Sequence, residues 1–216
     1  MTRLVGAVGI GQSPRPDLLE SLRARLPGDV LVVEVGALDG LPFDDLPQRP
    51  GAYPLTTRLR DGRPVTLGEA FLAPHVQAAI DAAEARGSAV TLLLCAGGFP
   101  DLRARGRLVR PFEAAIAELR AIGARRIGIL VPIAGQTGPA ERKWRTAGFE
   151  PVVLVGPPSS AADGWTAIDH GSAIAAIVLD FVGHPARAVD DLRSRSAVPV
   201  IDLGEAGASV AAAHFR

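Results

Sequence analysis

The sequence predicts an α/β protein built on parallel sheets, and three observations carry that prediction. Short apolar runs alternate with longer amphipathic ones, as strand–crossover helix repetition requires. Most of the short runs are rich in Val, Ile and Leu without period-2 alternation, which is how strands buried on both faces read. Proline stands at several expected helix starts (Pro111, Pro139, Pro185) and glycine at expected helix ends (Gly87, Gly123, Gly148), matching the asymmetry of helix termini.

In chain order, strands are expected at Leu4–Ile10, Val30–Leu38, Ala89–Cys95, Arg126–Val131, Pro151–Val155, Ala175–Phe181 and Val198–Leu203. Between and after them, helices are expected at Arg15–Leu26, Leu67–Arg86, Pro111–Ile122, Ala140–Ala147, Asp163–Ser172, Pro185–Arg195 and Gly204–His214, where Ala, Leu and Ile recur at three- and four-residue intervals among charges. The segment 39–63 departs from this rhythm. Its prolines and glycines break it up, and it reads as an irregular excursion: a lid, an oligomer contact or a meandering surface loop. Two halves of similar plan are suggested, because Gly11-Gln12-Ser13-Pro14 after the first strand is echoed by Gly135-Gln136-Thr137-Gly138 after Arg126–Val131, and Cys95-Ala96-Gly97 by Phe181-Val182-Gly183.

Composition narrows the function classes. With 216 residues the chain is long enough for one large or two small domains. The 23 basic residues balance 23 acidic ones, so no net field favours nucleic acid or an anionic membrane. Apolar residues make up 48% with a mean hydropathy of +0.23, yet every apolar run is interrupted well before the ~18 residues of a membrane span. No small-residue cleavage site follows the first apolar run, and the reading is a cytoplasmic protein. Cys95 is the only cysteine and Lys143 the only lysine. The first excludes disulfides and Cys-based metal sites, and the second leaves little room for Schiff-base chemistry. No His pair has metal spacing, with His75, His170 and His214 inside helix-like segments, and no metal is expected.

Open parallel sheets bind ligands at the C-terminal edges of their strands. Three loops there carry chemistry. After the first strand, Gln12, Ser13 and Arg15 offer an amide, a hydroxyl and a guanidinium at a helix start, a set suited to a carboxylate or phosphate; the plainer reading is that Ser13 caps a helix with Pro14 in its first turn. Cys95, ending a buried strand before the small residues Ala96 and Gly97, reads as a nucleophile or acid/base beside free N–H groups, or as a small buried hydrophobe. Asp180 and His184 flank Phe181-Val182-Gly183 at another strand end, where a histidine is either an acid/base or structural.

Together these pieces resemble the AroM family of the aspartate/glutamate racemase superfamily. The matching features are Gly11-Gln12-Ser13-Pro14-Arg15-Pro16-Asp17, Leu93-Leu94-Cys95-Ala96-Gly97, Arg110-Pro111-Phe112-Glu113, Ile129-Leu130-Val131-Pro132 with Gln136 and Lys143-Trp144, Leu179-Asp180-Phe181-Val182-Gly183, and Val198-Pro199-Val200. The resemblance implies two pseudo-symmetric three-layer α/β domains with an active-site cleft between them. Expected bounds are 1–108 plus 204–216 for one domain and 109–203 for the other. It implies cofactor-independent proton transfer at a carbon next to a carboxylate, between two cysteines on opposite faces. Cys95 matches the first; Phe181 stands at the second, and phenylalanine transfers no proton.

Three expectations follow. Cys95 works with Asp180 or His184, or it works alone in a one-sided proton shift or decarboxylation, or the cleft only binds or senses a small carboxylate. Substrate contacts are expected from Gln12, Ser13, Arg15, Ala96 and Gly97 on one side and from Gln136, Thr137, Phe181, Val182 and Gly183 on the other. Relatives are commonly dimers, and Phe43 and Tyr53 in the excursion offer apolar surface for a homodimer.

Overall fold

A computed structural model describes residues 3–51, 53–157 and 173–216. The first half runs β1 (Arg3–Gly9), α1 (Pro16–Arg23), β2 (Val30–Gly36), β3 (Pro54–Arg58), β4 (Pro64–Gly68), α2 (Glu69–Ala85), β5 (Val90–Leu94) and β6 (Arg107–Val109). The second runs α3 (Pro111–Ala121), β7 (Arg126–Val131), α4 (Thr137–Thr146), β8 (Glu150–Val155), β9 (Ala176–Leu179), α5 (Ala186–Arg195), β10 (Val200–Asp202) and α6 (Leu203–Ala213). The helix expected at Asp163–Ser172, with His170, lies outside the described residues.

Two parallel four-stranded sheets form, ordered β2-β1-β5-β6 and β8-β7-β9-β10. Each places the half's first strand inside, with the second on one flank and the later pair on the other, so the two halves are pseudo-symmetric α/β domains. Successive residues of each strand serve different cores. Val5, Ala7, Leu92 and Leu94 point into the same central cluster as Ile127, Ile129, Ala176 and Val178 of the second sheet. Val8 and Leu93 face a second cluster with Val76 and Ile80 of α2. Leu130, Ile177 and Leu179 face a third with Val189 and Leu192 of α5. The strands are thus covered on both faces, which explains why their sequences do not alternate. Helices α1, α3, α4 and α6 supply the central cluster, and α6 packs on α1, α3 and β5.

Gly87, Gly123 and Gly148 end α2, α3 and α4 in the left-handed region, with φ of +96°, +68° and +95°. The next residue's N–H in each case reaches back to a carbonyl five residues earlier, as in Ala124 to Leu119 at 2.9 Å and Phe149 to Trp144 at 3.1 Å, a Schellman closure that only glycine adopts without strain.

Two expectations need correction. The excursion 39–63 is not irregular throughout: β3 and β4 form an antiparallel hairpin, Pro54 pairing with Gly68 and Arg58 with Pro64. That hairpin takes the first residues of the helix expected from Leu67, so α2 begins at Glu69. Ser13 does not cap α1, which starts at Pro16 with Arg15 at the cap position; Ser13 instead serves Asp39, as described below. The strand Arg107–Val109 is not predicted by the sequence, because its three residues carry no pattern.

Candidate active site

The C-terminal ends of β1, β5, β7 and β9 converge on a cavity of about 210 Å3. From the first sheet it receives Ile10 and Cys95, and from the second Pro132, Ile133 and Phe181. The hairpin β3–β4 roofs it with Leu55, Thr56, Thr57 and Arg58, and the start of α1 contributes Arg15, Asp17 and Leu18.

The opening loop explains how the roof is held. Gly11 lies so close to the hairpin that a Cβ there would stand 2.3 Å from Thr57 Oγ1 and 2.4 Å from the Arg58 carbonyl oxygen. Gln12 donates through Nε2 to the carbonyls of Leu38 (3.1 Å) and Leu41 (2.9 Å) and accepts from the Arg60 N–H at 2.9 Å. Ser13 gives both its N–H (2.8 Å) and its hydroxyl (2.7 Å) to Asp39. Across the cleft Gln136 donates to the Pro54 carbonyl at 3.1 Å. The side chains of the two glutamines of the repeated motif therefore grip the hairpin at the start of β3 and in the turn that follows it, and Gln12 and Ser13 are turned toward the fold rather than lining the cavity. Thr137 donates to the Ala134 carbonyl at 2.9 Å and stands outside the lining.

Cys95 is buried, with the Gly97 N–H donating to its Sγ at 3.2 Å. Burial pushes its thiol up to about 12; the Gly97 N–H and the Lys143 ammonium oppose that rise, whereas Glu69 and Asp180 add to it. The strand registers place Phe181 at the equivalent position of the second half. Val5 pairs with Val90 and Ile127 with Ala176, each of the former four residues before its strand's end, and Cys95 and Phe181 each lie five residues beyond their partners. Both line the cavity, from opposite sheets, as do Ala96, Val182 and Gly183. Gly97 lies outside the main lining, in a small recess shared with Tyr53 and Lys143.

Asp180 is buried and doubly held: Lys143 Nζ donates to Oδ1 at 2.7 Å and Trp144 Nε1 to Oδ2 at 2.9 Å. Lys143 also donates to the Ala96 carbonyl at 3.0 Å and lies 4.7 Å from the Phe112 ring centroid. The lone lysine thus ties α4 of the second half to the turn after Cys95 in the first. His184 packs edge-on against Phe181, 5.3 Å between centroids, and its Nε2 is buried without a partner among the described residues. Burial lowers its pKa to about 4, so the ring is neutral near pH 7, and it does not line the cavity.

Residue reading missed Arg58 and Tyr53 as parts of the site and the Lys143–Asp180–Trp144 cluster. A lone lysine beside tryptophan on one helix was the available signal. Tyr53 is raised above its usual range by burial, then by Asp180, Glu69 and Cys95. Among the described residues no three His, Cys, Asp or Glu side chains are grouped to hold a metal, and no helix is long and apolar enough to cross a membrane.

Two pseudo-symmetric α/β domains with a small cavity at their facing strand ends define a racemase-like fold. The chain is similar in structure to allantoin racemase from Klebsiella pneumoniae, with a TM-score of 0.65 at 20% identity over 99% of this chain and 87% of that one. It is also similar to the maleate isomerase Iso from Pseudomonas putida S16 (TM-score 0.64, 16% identity, 99% and 92% covered). A third similar structure is unliganded arylmalonate decarboxylase (TM-score 0.62, 16% identity, 98% and 93% covered). No curated protein sequence matches. The model of the AroM protein family matches residues 5–212, and the chain belongs to that family.

Proposed function

We propose that this protein catalyses cofactor-independent proton transfer, or decarboxylation with protonation, at the carbon next to a carboxylate of a small molecule, using Cys95 as its single acid/base. The observation that carries this reading is the placement of Cys95 at the cavity wall, its Sγ receiving the Gly97 N–H, with Phe181 at the equivalent position opposite. In decarboxylation the departing CO2 leaves its bonding pair on the α-carbon, and the resting Cys95 thiol donates its proton to that enolate-like carbon. The thiolate left behind, met by the Gly97 N–H and the field of Lys143, takes a proton back from water. In proton transfer the thiolate form of Cys95 first removes the α-hydrogen and then, after exchange with water, returns a proton to the same face. Phe181 offers no proton on the other face, so exchange is one-sided and configuration is retained. Asp180, held by Lys143 and Trp144, and His184, outside the lining, serve as supports of the site.

The test is incubation in deuterated water with carboxylates bearing an activated α-hydrogen, followed by NMR. Deuterium entry that Cys95→Ala abolishes, with ligand binding retained, supports the proposal; exchange undiminished in Cys95→Ala would sink it. The second reading is a protein that binds or senses a small carboxylate without converting it. It is favoured by the rise of the Cys95 thiol to about 12, and it predicts binding with no exchange.

A further inference from the structure

The charges around the cavity point to what the ligand carries on its α-carbon. Two carboxylates line it, and each already faces a cation. Arg15 holds Asp17 through Nε (2.8 Å) and Nη2 (2.7 Å), one donor on each oxygen. Lys143 and Trp144 hold the two oxygens of Asp180. Each of these pairs is formally neutral. What remains is Arg58, on the roofing hairpin, whose guanidinium has no hydrogen-bond or ion-pair partner among the described residues. Its field reaches the cavity rim, where it helps hold the Asp17 carboxyl below its usual range after the larger effect of Arg15. Cys95 adds no charge while it keeps its proton.

Among the described residues the cavity lining therefore presents one uncommitted positive charge and no uncommitted negative one, Glu69 standing outside the lining although its field is felt at Cys95. Its other walls are largely apolar, including Ile10, Leu18, Leu55, Ile133, Phe181 and Val182. An α-ammonium group placed here would lose water, meet no free carboxylate and feel Arg58, a combination that disfavours a buried cation. A carboxylate with a hydrocarbon branch meets the opposite situation: a free guanidinium for its oxygens and apolar wall for its carbons.

We propose that the cleft selects small carboxylates whose α-carbon bears apolar substituents, anchored by Arg58, and rejects the α-ammonium of amino acids. This rests on the reading of the cleft as the substrate site. Calorimetric titration of the full chain with 3-methylbutanoate and with valine, which share one carbon skeleton and differ by the ammonium, tests it without needing turnover. Expected is binding of 3-methylbutanoate at least about tenfold tighter than valine, with about tenfold loss in Arg58→Gln, the size of one charge-assisted hydrogen bond. Arg58 is exposed, and circular dichroism of the variant verifies its fold. Equal or tighter binding of valine, unchanged affinity in Arg58→Gln, or binding of neither compound overturns the proposal. Selective binding without deuterium exchange in any carboxylate leaves it standing while the catalytic reading falls; exchange of amino acids does the reverse.

Discussion

Replacing Lys143 by Met is the sharpest probe of how the two halves are coupled. The ammonium and the Asp180 carboxylate are 2.7 Å apart, with side-chain exposures of 10% and 3%. Methionine keeps much of the side chain's length but removes the charge that lies over the Phe112 ring and both hydrogen bonds. Asp180 would keep only the Trp144 N–H, and the Ala96 carbonyl would lose its side-chain partner. Removing one member of a buried pair costs about 3–5 kcal/mol, because the remaining charge stays out of water. For a chain of this size that is a fall in Tm of roughly 6–20 °C. Urea unfolding with a constant m-value measures the loss directly. The double variant Lys143→Met/Asp180→Leu removes the stranded charge and should recover most of the stability. A loss below about 1 kcal/mol in Lys143→Met would refute the claim that the pair is buried and coupled.

Other perturbations have equally definite signs. In Gly97→Ala a Cβ would stand 2.7 Å from Phe99 Cε2 and 3.2 Å from Leu55 Cδ1, so a loss of about 1–3 kcal/mol is expected, with faster alkylation of Cys95 by iodoacetamide as its turn loosens; unchanged stability and labelling would contradict this geometry. Asp202 caps α6 by accepting the Glu205 N–H at 2.9 Å, while its other oxygen is buried without a partner among the described residues. Burial raises its pKa to about 7, so its contribution to stability is present below about pH 4 and is lost as pH rises through about 7. Asp202→Asn keeps the cap and should add on the order of 1–4 kcal/mol at pH 8 and less at pH 5, as read by urea unfolding at both; an equal gain at the two would dispose of the explanation. His184 has the opposite sign: with a folded pKa of about 4, stability is full above about 6.5 and falls as pH drops toward 4, and His184→Phe should flatten that decline in thermal melts.

The regular parts of the fold were legible because burial on both faces forces unbroken Val/Ile/Leu strands and because glycine is needed where helices close. The half-repeat was legible through Gly11-Gln12 and Gly135-Gln136, although its meaning was not. Those motifs promise ligand contacts when read as isolated loops, yet the glutamines grip a hairpin whose position depends on pairing far along the chain. The hairpin itself hid in a proline-rich stretch, where Pro54 and Pro64 sit at the starts of its two strands and its short length leaves little periodicity to read. Arg58 could not be singled out among so many arginines, because what distinguishes it is that it lines the cavity with no partner among the described residues, a property of three-dimensional arrangement. Asp180 reads as a partner for Cys95 from its place at a strand end beside Phe181, but its carboxylate faces Lys143 and Trp144 on α4, an encounter that sequence spacing does not disclose.

The packing of α6 carries a consequence for biosynthesis. Ala206, Ala208 and Ala211 sit in the same cluster as Val5, Leu19 and Leu92, so the apolar faces of β1, α1 and β5 wait for a segment translated well after them. Until Leu203–Ala213 emerges, apolar faces of α1 and β5 lack their cover, and a nascent first half is a candidate for chaperone capture rather than an independently finished unit.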